Sequence, residues 1–374
     1  MGSKDSVLAR LRGLAAVVAG AVVLSACGGG GASKGGVLHI YNWSDYIDTR
    51  ILADFTKETG TKVQYDTFDS VDMLETKVLT GNSGYDIVVP SNQYVPRFAA
   101  AKAIQPLDQG KLPNARNLWP EVMRYMAPFD PGAKYAVPYM WGTVGIGYNP
   151  DKVAKALPGV KIDSWRVLFD PANLAKLKDC GVYFLTDPQD MYGAVLRFMG
   201  KDPNSKDPAD YAAATDLLMK LRPYVRKFTN SENIEALANG DICIAIGYSG
   251  DMLQAAARAR EANHGVTVAY AIPKEGSQVW FDSFTIPADA PNPAAAHAFI
   301  NYMLRPDVIA RASNATHYAN ANAAATPLVD KAVSGDPNVY LTGDTFSRLY
   351  VVTPKDQALL REVNRDWTRV TTGQ

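Results

Sequence analysis

Apolar positions in the first third of the chain switch between a two-residue and a 3.6-residue period. Val37 to Tyr41 reads as a strand, and Asp48 then caps a helix whose apolar face is Ile51, Leu52 and Phe55 and whose stop is Gly60. A second strand covers Lys62 to Phe68. A helix from about Val71 to Thr80 follows, showing Met73, Leu74, Val78 and Leu79 and ending at Gly81. It leads into the apolar strand Tyr85 to Val89, which Pro90 terminates. Repeated β-α-β order predicts helices covering a largely parallel sheet. The pattern recurs as helix Asp210 to Leu221, helix Glu232 to Ala238 closed by Gly240, strand Ile242 to Gly247 and strand Val266 to Ile272. Two α/β lobes are therefore expected. Strand-like segments at Tyr135 to Met140, Gly142 to Tyr148 and Val279 to Ile286 fall where the chain crosses between them. Helices are expected from Ala294 to Met303 and from Gln357 to Val370. No internal repeat is visible, which excludes a solenoid.

A length of 374 residues accommodates two lobes, and 47% hydrophobic with 20% charged residues lets each bury a core. Lys plus Arg equals Asp plus Glu at 38 each, so the basic excess of a nucleic-acid partner is absent. The longest apolar run, Leu14 to Leu24, is too short to span a bilayer. Lys4, Arg10 and Arg12 precede it and Leu24-Ser25-Ala26-Cys27 closes it, the layout of a secretory signal. The ending resembles the bacterial lipoprotein signal, in which the cysteine is acylated and the chain cut before it. This makes 1–26 a signal peptide and 27–36 a lipidated Cys27 with a glycine-rich tether. The rival myristoylation pattern at Met1-Gly2 and Ser6 leaves the run from Leu14 to Cys27 unexplained. Removing the signal leaves Cys180 and Cys243, an even pair in an oxidising compartment. Both sit beside apolar runs, so a disulfide and two buried thiols are both open.

Catalytic signatures are missing. Gly247-Tyr248-Ser249-Gly250 and Gly81-Asn82-Ser83-Gly84 lack the second glycine of a nucleophile elbow. Gly142 to Gly147 looks like a dinucleotide fingerprint, but Pro150 stands where its last glycine belongs, so a glycine-permissive crossover strand is expected. His39, His264, His297 and His317 are scattered, with no H-E-x-x-H or C-x-x-C. No catalytic residue, metal or cofactor is expected.

In α/β proteins ligands sit beyond the carboxyl ends of the strands. Those ends read Asn42-Trp43-Ser44-Asp45-Tyr46, Pro90-Ser91-Asn92-Gln93-Tyr94, Thr186-Asp187-Pro188-Gln189-Asp190 and Tyr248-Ser249-Gly250-Asp251, and Trp280-Phe281-Asp282 opens a further segment. Carboxylates and aromatics dominate, with no lysine or arginine. Ammonium groups form charge-assisted bonds to carboxylates, and cations or methylenes lie on aromatic faces at about 0.5–2 kcal/mol per face. The matching ligand is a linear polyamine. Taken singly, each aspartate also fits a helix cap and each tryptophan a core residue.

Leu38-His39-Ile40-Tyr41-Asn42-Trp43-Ser44-Asp45-Tyr46, Tyr85-Asp86-Ile87-Val88-Val89-Pro90-Ser91, Ala238-Asn239-Gly240-Asp241-Ile242-Cys243, Ile272-Pro273-Lys274-Glu275-Gly276 and Tyr318-Ala319-Asn320-Ala321-Asn322 carry a resemblance. From about Val37 to the C-terminus the chain resembles the putrescine/spermidine-binding proteins of bacterial ABC importers. The resemblance implies a type II periplasmic-binding-protein fold: two α/β lobes, 37–140 with 276–320 and 141–275 with 321–374, joined by crossover strands around a ligand cleft. It implies a monomeric receptor without enzymatic activity, in the periplasm or at the cell surface, membrane-attached through its lipid alone, that delivers polyamine to an ABC permease of the inner membrane. The competing functions are a polyamine-sensing lipoprotein without a transport role and a secreted amine-acting enzyme.

Carried over residue by residue, Trp43 and Tyr318 lie against the methylene chain, with Trp280 and Tyr248 adding aromatic surface. Ser44, Asp45 and Ser91 contribute from the first lobe, Asp190 and Asp251 from the second, and Asp282 from between them. Asp187 stands where a small residue is common, Trp280 where phenylalanine is common, and Tyr248 replaces a frequent tryptophan. Asp187 offers a carboxylate for the third ammonium of spermidine, against the competing reading of an Asp-Pro turn with Pro188. The resulting expectation is about tenfold tighter binding of spermidine, ~1.4 kcal/mol, with putrescine still bound. The family's disulfide falls on Cys180 and Cys243.

Overall fold

The computed structural model describes residues 36–341 and 344–374. In the first lobe, β1 (Val37–Trp43) is the centre of a three-stranded parallel sheet, with β2 (Lys62–Phe68) on one side and β3 (Ile87–Val88) on the other. The Asp48 carboxylate accepts the Arg50 N–H to start the helix Thr49–Thr59, and Gly60 closes it at φ 75°, a left-handed conformation that costs glycine little. Ile51 and Phe55 are buried against the sheet. The helix Val71–Thr80 has the expected bounds but a narrower apolar face: Val71, Leu74 and Val78 are buried, whereas Met73 and Leu79 are exposed. The strand expected from Tyr85 is shorter because Asp86 turns its carboxylate to the backbone N–H groups of His39 and Asn292.

The second sheet gathers β4 (Val137–Tyr148), β5 (Val182–Phe184), β6 (Lys227–Phe228), β7 (Ile244–Tyr248), β8 (Ala269–Ala271), β9 (Val279–Phe284) and β10 (Ala319–Asn320). Its axis is β4, twelve residues long. The first half of β4 pairs antiparallel with β9 and β10, and the second half with β7 and β8. β7 and β6 flank β5 in parallel. This strand therefore passes from one lobe to the other. β9 is shared as well, since Thr285 N–H donates to the Val88 carbonyl at 2.9 Å and Ser283 N–H to the Pro90 carbonyl at 3.0 Å, tying it to β3. A third crossing lies at Tyr350, which exchanges backbone bonds with Ser277 and Val279 at 3.0 and 2.8 Å.

The glycines of β4 have packing reasons. A Cβ at Gly145 would run into Tyr270, one at Gly147 into Met252, and one at Gly142 would sit 2.8 Å from Trp280 Cζ2. Close approach of β4 to its neighbours, not a dinucleotide, accounts for the glycine spacing.

Cys180 and Cys243 form a disulfide with their Cα atoms 5.5 Å apart. Each stands just before a strand of the neighbouring parallel pair β5 and β7, which brings the cysteines side by side. The helix Pro188–Phe198 has no counterpart in the sequence reading: Gln189 to Leu196 are all buried, so no polar stripe marks its period. The C-terminal helix Gln357–Thr372 buries Leu359, Val363, Trp367 and Val370, and the Trp367 indole N–H donates to the Thr186 carbonyl at 2.8 Å. Among the described residues no helix is long and apolar enough to cross a membrane. The signal-like run Leu14 to Leu24 and Cys27 lie outside the described residues.

Candidate functional site

Strand ends from both lobes converge on one cavity. The end of β1 supplies Trp43, Ser44 and Tyr46, and the end of β2 supplies Phe68 and Asp69. Ser91 and Gln93 follow β3, while Tyr248 and Asp251 stand where β7 passes into the helix Ser249–Ala262. Gln278, Trp280 and Asp282 come from β9 and its approach, and Asp187 and Asp190 from the start of the helix Pro188–Phe198. Tyr318, just after the left-handed His317 (φ 57°), completes the wall.

The cavity wall includes all the candidates named from sequence except Asp45. Asp45 sits in a left-handed turn at φ 54°, and its carboxylate pairs with Arg258 at 3.0 Å at the rim. Arg258 also pairs with Glu235, so this cluster joins the first lobe to the second. Asn230 donates to the Asp69 carbonyl at 3.0 Å, a second direct link across the cleft.

The aromatic residues form a box. Trp280 packs edge-on against Tyr248 and Tyr318, with ring centres 5.7 and 5.2 Å away, and Tyr46 meets Tyr318 at 5.2 Å. On the other side Trp43 lies 4.4 Å from Phe68. Such surfaces match methylenes and the faces of organic cations.

Asp187, Asp190, Asp251 and Asp282 each accept a bond from a neutral hydroxyl. Tyr94 donates to Asp187 at 3.1 Å, Tyr248 to Asp190 at 2.8 Å, Tyr318 to Asp251 at 2.7 Å and Ser91 to Asp282 at 2.5 Å. Asp187 also caps its helix, accepting from the Gln189 and Asp190 backbones at 2.7 and 3.3 Å. It is thus both the Asp-Pro cap and a cavity residue. No lysine or arginine lines the cavity, and none of these carboxylates enters an ion pair among the described residues.

Removal from water works against the ionised forms. Burial is the leading cause that pushes Asp251 and Asp282 up to about 7. Asp190 is pushed well above the usual carboxylate range, by burial first and the Asp187 charge second, and Asp187 is raised by burial against its backbone bonds. Asp190 Oδ1, Gln93 Oε1 and Gln278 Oε1 are buried acceptors without a hydrogen-bond partner. The Trp43 and Trp280 indole N–H groups of the same wall are buried donors without a partner, while its free acceptors and carboxylates are complementary to cations carrying N–H donors. Among the described residues no group of three His, Cys, Asp or Glu could hold a metal ion, so the carboxylates are spread along the cavity rather than gathered on one point.

The family model for bacterial extracellular solute-binding proteins matches residues 50–340, most of the chain. The chain belongs to that family. This solute-binding protein is 49% identical over 363 residues to the putrescine-binding periplasmic protein PotF of Escherichia coli (strain K12), covering 96% of this chain and 98% of the relative. It is 47% identical over 344 residues to the putrescine-binding periplasmic protein SpuD of Pseudomonas aeruginosa (strain UCBPP-PA14), covering 92% and 94%. The solved spermidine/putrescine ABC transporter substrate-binding protein PotD from Streptococcus pneumoniae superposes with a TM-score of 0.73 at 30% identity, covering 90% of this chain and 99% of that one. The fold is the expected type II periplasmic-binding-protein fold, two α/β lobes joined by crossover strands.

Several wall residues of this solute-binding protein escaped the sequence reading. Tyr46 and Gln93 stand inside the strand-end segments, but a tyrosine beside Trp43 and a neutral amide gave no reason to choose them. Asn230, Ser231 and Ile234 follow β6, a strand of two residues that leaves no periodic signal. Gln278 precedes β9 by one position, where only the orphaned amide oxygen marks it.

Proposed function

We propose that this solute-binding protein captures linear polyamines outside the cytoplasm and delivers them to an ABC import permease of the inner membrane. The observation that carries the reading is a cavity with buried carboxylates, each served by a hydroxyl rather than a cationic side chain, around an aromatic box. One ammonium is held by Asp251 and Asp282, another by Asp190 with the free oxygens of Gln93 and Gln278. Trp43, Tyr248, Trp280 and Tyr318 face the methylenes between them, and Ser44 and Ser91 complete the polar wall. Asp45 acts from the rim through Arg258. The names of the relatives, putrescine-binding and spermidine/putrescine-binding, support the ligand class.

Binding couples to lobe closure, because the acceptors come from both lobes and only the closed arrangement brings them together. The lobes are taken as 37–140 with 276–320 and 141–275 with 321–374. The backbone bridge of Leu118 to Asn322 and the packing of Tyr340 on Trp119 favour moving 321–341 to the first lobe. The protein works as a monomer without catalysis in the periplasm or at the cell surface, held to the membrane through a lipid on Cys27. Calorimetric titration with putrescine, spermidine and spermine tests the reading: saturable one-to-one binding of at least one supports it, and no heat with any of them rejects it.

A further inference from the structure

Behind the Asp187 end of the cleft lies a second hollow between the lobes, whose charged residues are Glu75, Arg97, Lys355 and Arg361. Gln93 borders both spaces, and Tyr94 forms the partition. The Tyr94 hydroxyl donates to Asp187 at 3.1 Å and accepts from the Gln189 amide at 2.8 Å. Arg97 is already paired with Glu75 at 2.6 Å. Lys355 is different: it is half-buried, its ammonium lies 5.7 Å from the centre of the Tyr211 ring, and it joins no ion pair among the described residues. Burial lowers its pKa to about 8, and the charges that oppose this are those of Asp187 and Asp190.

We propose that Lys355 is a resident cation that sets ligand length, occupying in the charge balance of the Asp187 end the place a third ammonium would take. The inference rests on the polyamine reading and deepens it. A diamine needs two anionic ends, which Asp251 with Asp282 and Asp190 provide without Asp187. A triamine extended toward Asp187 meets a carboxylate with one oxygen in a helix cap and the other on Tyr94, and in the hollow that Tyr94 and Gln189 line together with Lys355 it meets a positive charge of its own sign. Lys355 therefore opposes the gain that Asp187 would give spermidine and shifts selectivity toward diamines.

The test uses the full chain with Lys355→Gln and Lys355→Arg, titrated calorimetrically with putrescine and spermidine. Lys355→Gln should move the ratio of the two dissociation constants about tenfold toward spermidine, while Lys355→Arg, which keeps the charge, should keep the wild-type ratio. A ratio within twofold of wild type for Lys355→Gln overturns the proposal. So does an equal shift in both variants, which would make the residue a packing element. If wild-type protein binds neither ligand, the polyamine reading itself falls, an outcome distinguishable from both.

Discussion

Asp282→Asn separates the charge of the site from its shape. Asp282 is 4% exposed in the shared strand β9 and accepts the Ser91 hydroxyl at 2.5 Å, a bond that an amide oxygen can still accept. What is lost is the negative charge facing a ligand ammonium. Breaking a buried charge pair by removing one partner costs about 3–5 kcal/mol, so affinity for putrescine should fall by about a hundredfold or more. Stability of the ligand-free protein should move the other way. Raising the carboxyl from 3.8 to about 7 corresponds to about 4 kcal/mol against the ionised form, an upper bound on what the amide relieves above pH 7. Calorimetry should therefore report the affinity loss while thermal melting at pH 8 shows the free variant at least as stable as wild type. An affinity change below threefold, or a free variant that melts well below wild type, would refute the assignment of Asp282 as a buried counter-charge held for the ligand.

Binding should depend on pH: in the ligand-free closed arrangement Asp251 and Asp282 take protons below about 7, and a bound ammonium must displace them. Because the raised values mean tighter proton binding than in the unfolded chain, their contribution to free-state stability falls as pH rises from about 4 to about 7, while putrescine affinity should weaken at least tenfold from pH 7.5 to 5.5. A flat profile would mean that these carboxylates are solvated before the ligand arrives. Asp45→Ala should cost far less than Asp282→Asn, under tenfold and equally for all polyamines, since the Asp45–Arg258 pair is part-exposed at 45% and 33% and such pairs contribute about 1 kcal/mol or less; a hundredfold loss would place Asp45 on the ligand. Replacing Cys180 and Cys243 by serine should lower stability by about 4 kcal/mol, from loop closure over a separation of 63 residues, measured by denaturant unfolding with and without reductant. Unchanged unfolding would argue against the bridge.

The parts of the site legible in the sequence are those fixed by chain direction. Cavity residues at strand ends follow from the α/β pattern, so Trp43, Ser91 and Tyr248 emerge from reading where each apolar run closes, whereas Asp282 lies inside β9. Side-chain direction is not written there. Asp45 stands between two cavity residues, yet its left-handed backbone turns it to Arg258, a partner more than two hundred positions away. Asp187 admits two readings, turn and ligand contact, and its carboxylate caps the helix with one oxygen and accepts the Tyr94 hydroxyl with the other while lining the cavity. The helix Pro188–Phe198 was hidden because burial on every side erases periodicity, and the Tyr350 crossing because one bridged residue carries no pattern. Lys355 was invisible for a related reason: its importance comes from burial beside acidic residues of a distant segment.

The central claim is that each end of the cavity holds an ammonium, and titrating wild-type protein with putrescine and with butylamine tests it most directly. Butylamine keeps the four-carbon chain and one charge, so it leaves one set of buried acceptors unmet. Putrescine should bind one-to-one and at least a hundredfold tighter than butylamine, about 2.8 kcal/mol. Affinities within threefold of each other would contradict it.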